Sequence, residues 1–299
     1  MPSTSVTLDG PASPGLTLAP WRRGGGDPCN RIGADGAIWR TSAMPSGAVT
    51  ARIAKSALDT VSCEAWGSGS AEFLEGFAAL VGADDDTGGF DPVEPTIAEA
   101  HRRVPHLRLG RSGLVLEALV PAILEQRVSG MDAWRAWRRL VLAYGAPAPG
   151  PAPDGMRVPP TADAWRRIPS WEFHRANVDP GRARTIVGCA QRADAVERLT
   201  AERAGTALRS LPGVGEWTVA ETVQRAFGDA DALSVGDYHL ATMVGRSLLG
   251  RPIDDAAMIE LLEPLRPHRQ RAVRLLEASG LAHNPRFGAR QAIPNLRAL

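Results

Sequence analysis

The sequence predicts an α+β protein, with a small antiparallel β-sheet domain carrying a helix in front and an all-helical region behind. Three observations support this. Turn signals separate short β-type runs in the front third. From about Pro95 onward, apolar residues recur at three- and four-residue spacing. The charge is also divided: residues 1–100 hold 6 basic and 13 acidic side chains, and residues 101–299 hold 28 and 20. An acidic front and a basic rear suggest two bodies, the rear suited to a polyanion, although uneven charge alone would look the same.

A chain of 299 residues with 44% hydrophobic and 22% charged content is ordinary for a globular protein, which excludes a wholly disordered or fibrous one. Cys29, Cys63 and Cys189 are too few and too scattered for a disulfide framework, a four-thiolate zinc site or a four-cysteine iron–sulfur cluster. A reduced, cytoplasmic setting is expected. No apolar run reaches the roughly 18 residues of a membrane helix. Residues 1–15 lack the basic-then-apolar order of a secretory leader and are expected to be a disordered tail.

In chain order, a β/α domain is expected over residues 16–94 and a helical part over 95–299. The runs Ala37–Met44, Ala48–Lys55 and Asp59–Trp66 read as an antiparallel meander. Ser70–Val81 has helical spacing of Phe73, Phe77 and Leu80, with Ser70 as candidate cap. The acidic, glycine-containing Ala83–Pro95 reads as a junction. Helices are then expected at Thr96–Arg103, Leu114–Val128, Met131–Tyr144, Pro180–Arg192, Asp194–Arg203, Glu216–Phe227, Tyr238–Leu249, Asp254–Leu262 and Arg269–Ser279. The proline-rich segment 146–160 reads as a solvent loop. Trp171–His174 reads as an aromatic loop, either core lid or pocket wall.

The informative stretch is Leu208–Gly250, which reads helix, tight turn, helix, loop, helix. In the turn Leu211-Pro212-Gly213-Val214-Gly215, proline fixes one φ and the glycines permit positive φ. Amides at the start of the next helix would then face outward, where a phosphate is a natural partner. Such contact is to backbone, so it needs little net charge and reads no sequence. A Gly-x-Gly connector alone is equally a plain helix joint. Here it continues into Trp217-Thr218 and, further on, Ser234-Val235-Gly236-Asp237-Tyr238-His239.

These motifs resemble the helix-hairpin-helix DNA glycosylase superfamily, most specifically its AlkA-like branch of 3-methyladenine DNA glycosylases. The resemblance covers roughly 107–280 and, less specifically, the front β domain. It implies a DNA glycosylase of base excision repair acting on an extruded alkylated base in duplex DNA, as a monomer in the cytoplasm, associated with the nucleoid. A glycosylase for uracil, hypoxanthine or oxidised guanine, and a non-catalytic lesion-binding protein, remain alternatives.

Asp237 matches the catalytic aspartate of that family. Breaking an N-glycosidic bond gives the sugar oxocarbenium character, which a carboxylate opposes while it orients or deprotonates water. At about 4 Å and an effective dielectric near 20 this attraction is about 4 kcal/mol, roughly a thousandfold in rate. Asp237 could instead cap the following helix, and the roles can coexist. Trp217 stands where bifunctional members carry a lysine nucleophile; the single lysine, Lys55, lies in the front domain. The resemblance therefore implies a monofunctional enzyme without lyase activity, its tryptophan facing the base, with core packing beside the hairpin as the alternative.

By the same resemblance Arg127, in Gln126-Arg127-Val128-Ser129, falls at the wedge that fills the gap left by the flipped nucleotide, where an apolar residue is more usual. Gln126 would contact the opposite strand. Gly213, Val214, Gly215, Thr218 and Arg269 would contact the DNA backbone. Tyr238 and His268 would line the base pocket, where an aromatic is usual at the latter position. No cofactor is expected. The carbonyls of Arg209, Leu211 and Val214 match the positions that hold a structural Na+ or K+ ion.

Overall fold

The computed structural model describes residues 2–283. Its front domain is a five-stranded antiparallel sheet formed by β1 (Ser3–Thr7), β2 (Asn30–Ile32), β3 (Ile38–Met44), β4 (Gly47–Lys55) and β5 (Thr60–Trp66), in the order β1-β5-β4-β3-β2. The three central strands follow the alternation read from sequence, in a register that pairs Thr41 with Thr50 and Ile53 with Cys63. Val49, Ala51, Ile53, Val61, Cys63 and Ala65 are buried on one face. Helices α1 (Pro14–Leu18), α2 (Ser70–Glu75) and α3 (Phe77–Leu80) cover that face with Leu18, Phe73, Phe77 and Leu80.

Several expectations are corrected. Within the segment expected to be a tail, residues 2–15 contain ordered elements: β1 pairs with β5 along Ser3–Thr7, and α1 follows. Ser3–Thr7 contains a single apolar residue, Val6, but an edge strand needs only backbone pairing and one inward side chain. Ser70 is the first helical residue rather than the cap. Gly69 caps without a side-chain bond, and the helix breaks at Gly76 into α2 and α3. Segment 146–160 is not a free solvent loop. Its short strands β6 (Ala146–Pro147) and β7 (Arg157–Val158) pair, Met156 and Val158 are buried, and the Arg157 carbonyl accepts from Thr41 Oγ1 at 2.6 Å.

The helical part contains two hydrophobic cores. One unites α5 (Val115–Glu125), α6 (Gly130–Tyr144), α7 (Ala162–Arg167), α8 (Ser170–Arg175), α9 (Pro180–Ala190), α10 (Ala193–Val196), α11 (Ala201–Arg209) and α12 (Glu216–Ala226). The other unites α4 (Pro95–Arg103) with α13 (Leu240–Leu249), α14 (Asp255–Leu262) and α15 (Arg269–Ser279). Trp171–His174 is therefore helical, within α8, with Phe173 in the core and Trp171 exposed. The single helix expected over 194–203 is instead α10 and α11. Between them the Glu197 carboxylate accepts the amides of Val115 and Leu116, both at 2.8 Å, capping α5 from a distance. Burial pushes the Glu197 carboxyl up, against those two bonds.

The front domain is attached through buried polar contacts. Asp27, 1% exposed, accepts from the amides of Arg23 and Cys29, from Asn30 and from Trp137 Nε1 on α6. Arg40 meets Glu117 of α5 at 2.7 Å. The junction after α3 is pinned by Arg271 of α15, which grips both oxygens of Asp85 at 2.6 and 2.8 Å; both side chains are buried. Replacing Arg271 with Met strands a buried carboxylate and is expected to lower unfolding stability by about 3–5 kcal/mol in urea titration. A loss below about 1 kcal/mol would contradict this role.

Candidate active site

The hairpin runs from α11 to α12. Gly213 has φ +85, and a Cβ there would lie 2.0 Å from Thr185 Oγ1 of α9, so only glycine fits. The turn closes when Val214 N–H donates to the Leu211 carbonyl at 3.0 Å, and Val214 is buried beneath it. Gly215 is the N-cap of α12 and offers no side chain to the first-turn amides. That leaves donors at the positive end of an 11-residue helix, the arrangement that favours an anion. Glu216 stands beside them, and Arg209 reaches it across the hairpin at 3.3 Å.

Asp237 lies where the two helical cores meet. Its Oδ1 accepts the amides of His239 and Leu240, at 2.8 and 3.0 Å, at the entry to α13. Its Oδ2 accepts from Trp217 Nε1 at 3.1 Å. The capping role and an oriented carboxylate thus coexist in one side chain, with an indole from α12 holding the second oxygen. Gly236 N–H, just before it, donates to Asp255 Oδ2 at 3.1 Å, which steadies the loop from α14. Lys55, exposed at the end of β4, belongs to the front sheet.

The remaining expected residues divide. Arg127 is exposed between α5 and α6 with φ +54, a left-handed conformation that costs a non-glycine residue about 1–2 kcal/mol. Gln126 is not directed at a partner strand: its amide donates to the Gly213 carbonyl at 3.0 Å and to Thr218 Oγ1 at 2.8 Å, bracing the hairpin. Thr218 is buried, which removes it as a surface contact. The Val214 amide is likewise committed within the turn. Tyr238 is 81% exposed, with its ring against His239.

His268 and Arg269 are corrections. His268, 4% exposed, bonds through Nε2 to the Gly88 carbonyl at 3.0 Å, and its Nδ1 accepts from Arg271. With Phe90 against its ring, it fastens the junction. Arg269, 8% exposed, makes a two-pronged contact with Asp231 at 2.7 and 2.8 Å. Buried charges require such partners, so a basic residue at a helix entry need not face DNA.

Sequence reasoning missed a buried polar network beside the site. Glu221 Oε1 accepts from Ser234 Oγ at 2.5 Å, and Oε2 pairs with Arg225 at 2.8 Å. Burial works to raise the Glu221 carboxyl, but Arg225, the Ser234 bond and Arg23 together hold it below the usual carboxylate range. Arg23 pairs with Glu125 at 3.0 Å. The one signal in the sequence was that Glu221 follows Trp217 by one helical turn on the same face. Among the described residues, no His/Cys/Asp/Glu cluster could hold a metal and no helix is long and apolar enough to cross a membrane. A cavity of about 410 Å³, lined by Leu18, Arg22, Gly24, Arg31, Ile38 and Trp134, lies on the front domain and does not include Asp237.

No family model matches the chain. The chain is 32% identical over 195 residues to the probable bifunctional transcriptional activator/DNA repair enzyme AlkA of Mycobacterium tuberculosis, covering 61% of this chain and 37% of that protein. It therefore spans little more than a third of that relative's length. Its fold is similar to the 3-methyladenine DNA-glycosylase of Archaeoglobus fulgidus, with TM-score 0.73, 17% identity and coverage of 93% and 98% of the two chains. It is also similar to the 8-oxoguanine glycosylase/lyase of Clostridium acetobutylicum in its apo form, with TM-score 0.69, 13% identity and coverage of 93% and 96%. The chain thus has the fold that these DNA glycosylases share. Over 195 of its residues its sequence is similar to the AlkA protein.

Replacing Gly213 with Ala is expected to lower the melting temperature through a steric clash and backbone strain of about 1–3 kcal/mol. Gly215, at φ −95 with open space for 4 Å around the place a Cβ would take, should tolerate Ala with little change. Equal effects at the two positions, read by calorimetry, would contradict the turn geometry.

Proposed function

We propose that the chain is a monofunctional DNA N-glycosylase of base excision repair, hydrolysing the bond between deoxyribose and an extruded alkylated base, 3-methyladenine in type. The observation that supports this most directly is the Asp237 carboxylate, fixed at three points between two helical cores and next to a hairpin with uncapped amides. The uncapped turn at Gly215 would hold a backbone phosphate. Arg127, set in a left-handed conformation on an exposed loop, would fill the vacated stack with its stem and planar head.

In the reaction, the C1′–N bond breaks and its electron pair leaves with the base. Positive charge grows on the sugar, and Asp237 opposes it. Water adds through oxygen to C1′ and gives its proton to the carboxylate. The Trp217 N–H keeps the acid oriented while its ring lies beside the base site. No side-chain amine other than Lys55 exists to form a Schiff base. The carbonyls of Arg209, Leu211 and Val214 are neutral oxygen donors, a set suited to a monovalent ion between hairpin and phosphate.

Replacing Asp237 with Asn should reduce base release from methylated duplex DNA by roughly a thousandfold while duplex binding is retained; unchanged turnover would move the chemistry elsewhere. Borohydride treatment during turnover should trap no covalent protein–DNA adduct, and a trapped adduct would refute the water-using mechanism.

A further inference from the structure

We infer, building on the glycosylase reading, that Arg23 and Glu125 read the pairing edge of the extruded base. Arg23 Nη2 donates to a ring nitrogen or carbonyl, and Glu125 Oε2 accepts from the neighbouring N–H. The site then takes purines methylated away from that edge and rejects purines methylated on it.

The two residues belong to a network that ends at the catalytic carboxylate. Trp217, Glu221 and Arg225 recur at four-residue intervals on one face of α12. Glu221 accepts from Ser234 Oγ, and the Ser234 carbonyl accepts the Asp237 amide at 3.1 Å. Glu125 directly precedes Gln126, whose amide reaches Thr218, the neighbour of Trp217. From the front domain, Arg23 meets Glu125 at 3.0 Å, with its own amide fixed by Asp27. Both domains thus contribute to one network.

Two groups in this network have no partner among the described residues. Arg23 is 7% exposed; its Nη1 donates to Glu125, and its Nε is enclosed without an acceptor. Its Nη2 also lacks a partner but is not among the enclosed atoms. Glu125 Oε1 accepts from Arg23, while Oε2 has no partner and is likewise not enclosed. Charged groups on largely buried side chains ordinarily fill their hydrogen bonds. A donor and an acceptor left side by side and reachable from solvent form a surface complementary to a base edge, and extruded bases are read through that edge.

A purine offers such an edge in two forms. Adenine types present ring N1 as acceptor beside the amino donor, and guanine or hypoxanthine types present O6 beside N1–H. Methylation at N3 or N7 leaves either edge intact. Methylation at N1 or O6 removes one of its two partners.

The test uses the chain with both its domains and duplex DNA treated with a methylating agent, with released bases identified by mass spectrometry. The wild type should release 3-methyladenine and 7-methylguanine and leave 1-methyladenine and O6-methylguanine in place. Glu125→Gln keeps the shape but turns the free acceptor into a group that can donate. It should slow release of the favoured bases roughly tenfold to a hundredfold without changing affinity for abasic duplex DNA, which has no edge to read. Equal release of edge-methylated bases by the wild type would overturn this inference whatever the variant does, and so would a Glu125→Gln protein with unchanged rates. Release of no base at all would overturn the glycosylase reading and this inference with it.

Discussion

The site depends on one hydrogen bond, from the Trp217 indole to Asp237 Oδ2. Trp217 belongs to the helix that follows the hairpin, and Asp237 stands at the entry to α13 of the second core. The bond therefore joins two bodies packed around separate sets of apolar residues. Any shift between those cores changes the direction of the carboxylate. The amides of His239 and Leu240 fix the other oxygen, so the carboxylate has little rotational freedom.

The hairpin and the acid are held in register by side chains that do no chemistry. Gln126 ties the end of α5 to the Gly213 carbonyl and to Thr218, so the loop carrying Arg127 and the turn carrying Gly213 move together. The front sheet enters the same frame through Arg23, Asp27 and Arg40. Such an interface is stable only while each buried charge retains its partner, which gives it specificity more than strength. The single lysine among 34 basic residues fits this use, since arginine's planar fork meets carboxylates two-pronged, as at Asp85 and Asp231.

Strong local patterns were legible in the sequence. The alternation of β3 to β5 and the apolar periodicity of α5, α12 and α15 are properties of single segments, and they appear where the sequence put them. Gly213 and Asp237 were legible because a turn and a capped helix entry constrain residue type locally. What stayed hidden depends on residues far apart in the chain. The edge strand β1 exists only because β5 lies beside it. Arg269 and His268 look like surface residues until Asp231 and Gly88 are brought to them. Glu197 leaves a helical pattern to cap a distant helix. Arg23 and Glu125 are separated by a whole domain, and no spacing rule joins them.

The most direct measurement of the central claim is a crystal structure of the protein on duplex DNA carrying a cationic azasugar in place of the damaged nucleotide. The account predicts a phosphate on the amides after Gly215 and the Asp237 carboxylate within about 4 Å of the ring cation, where their attraction is strong, with the Trp217 contact intact. A cation seated elsewhere, or a carboxylate turned away from it while the hairpin still grips the strand, would contradict it.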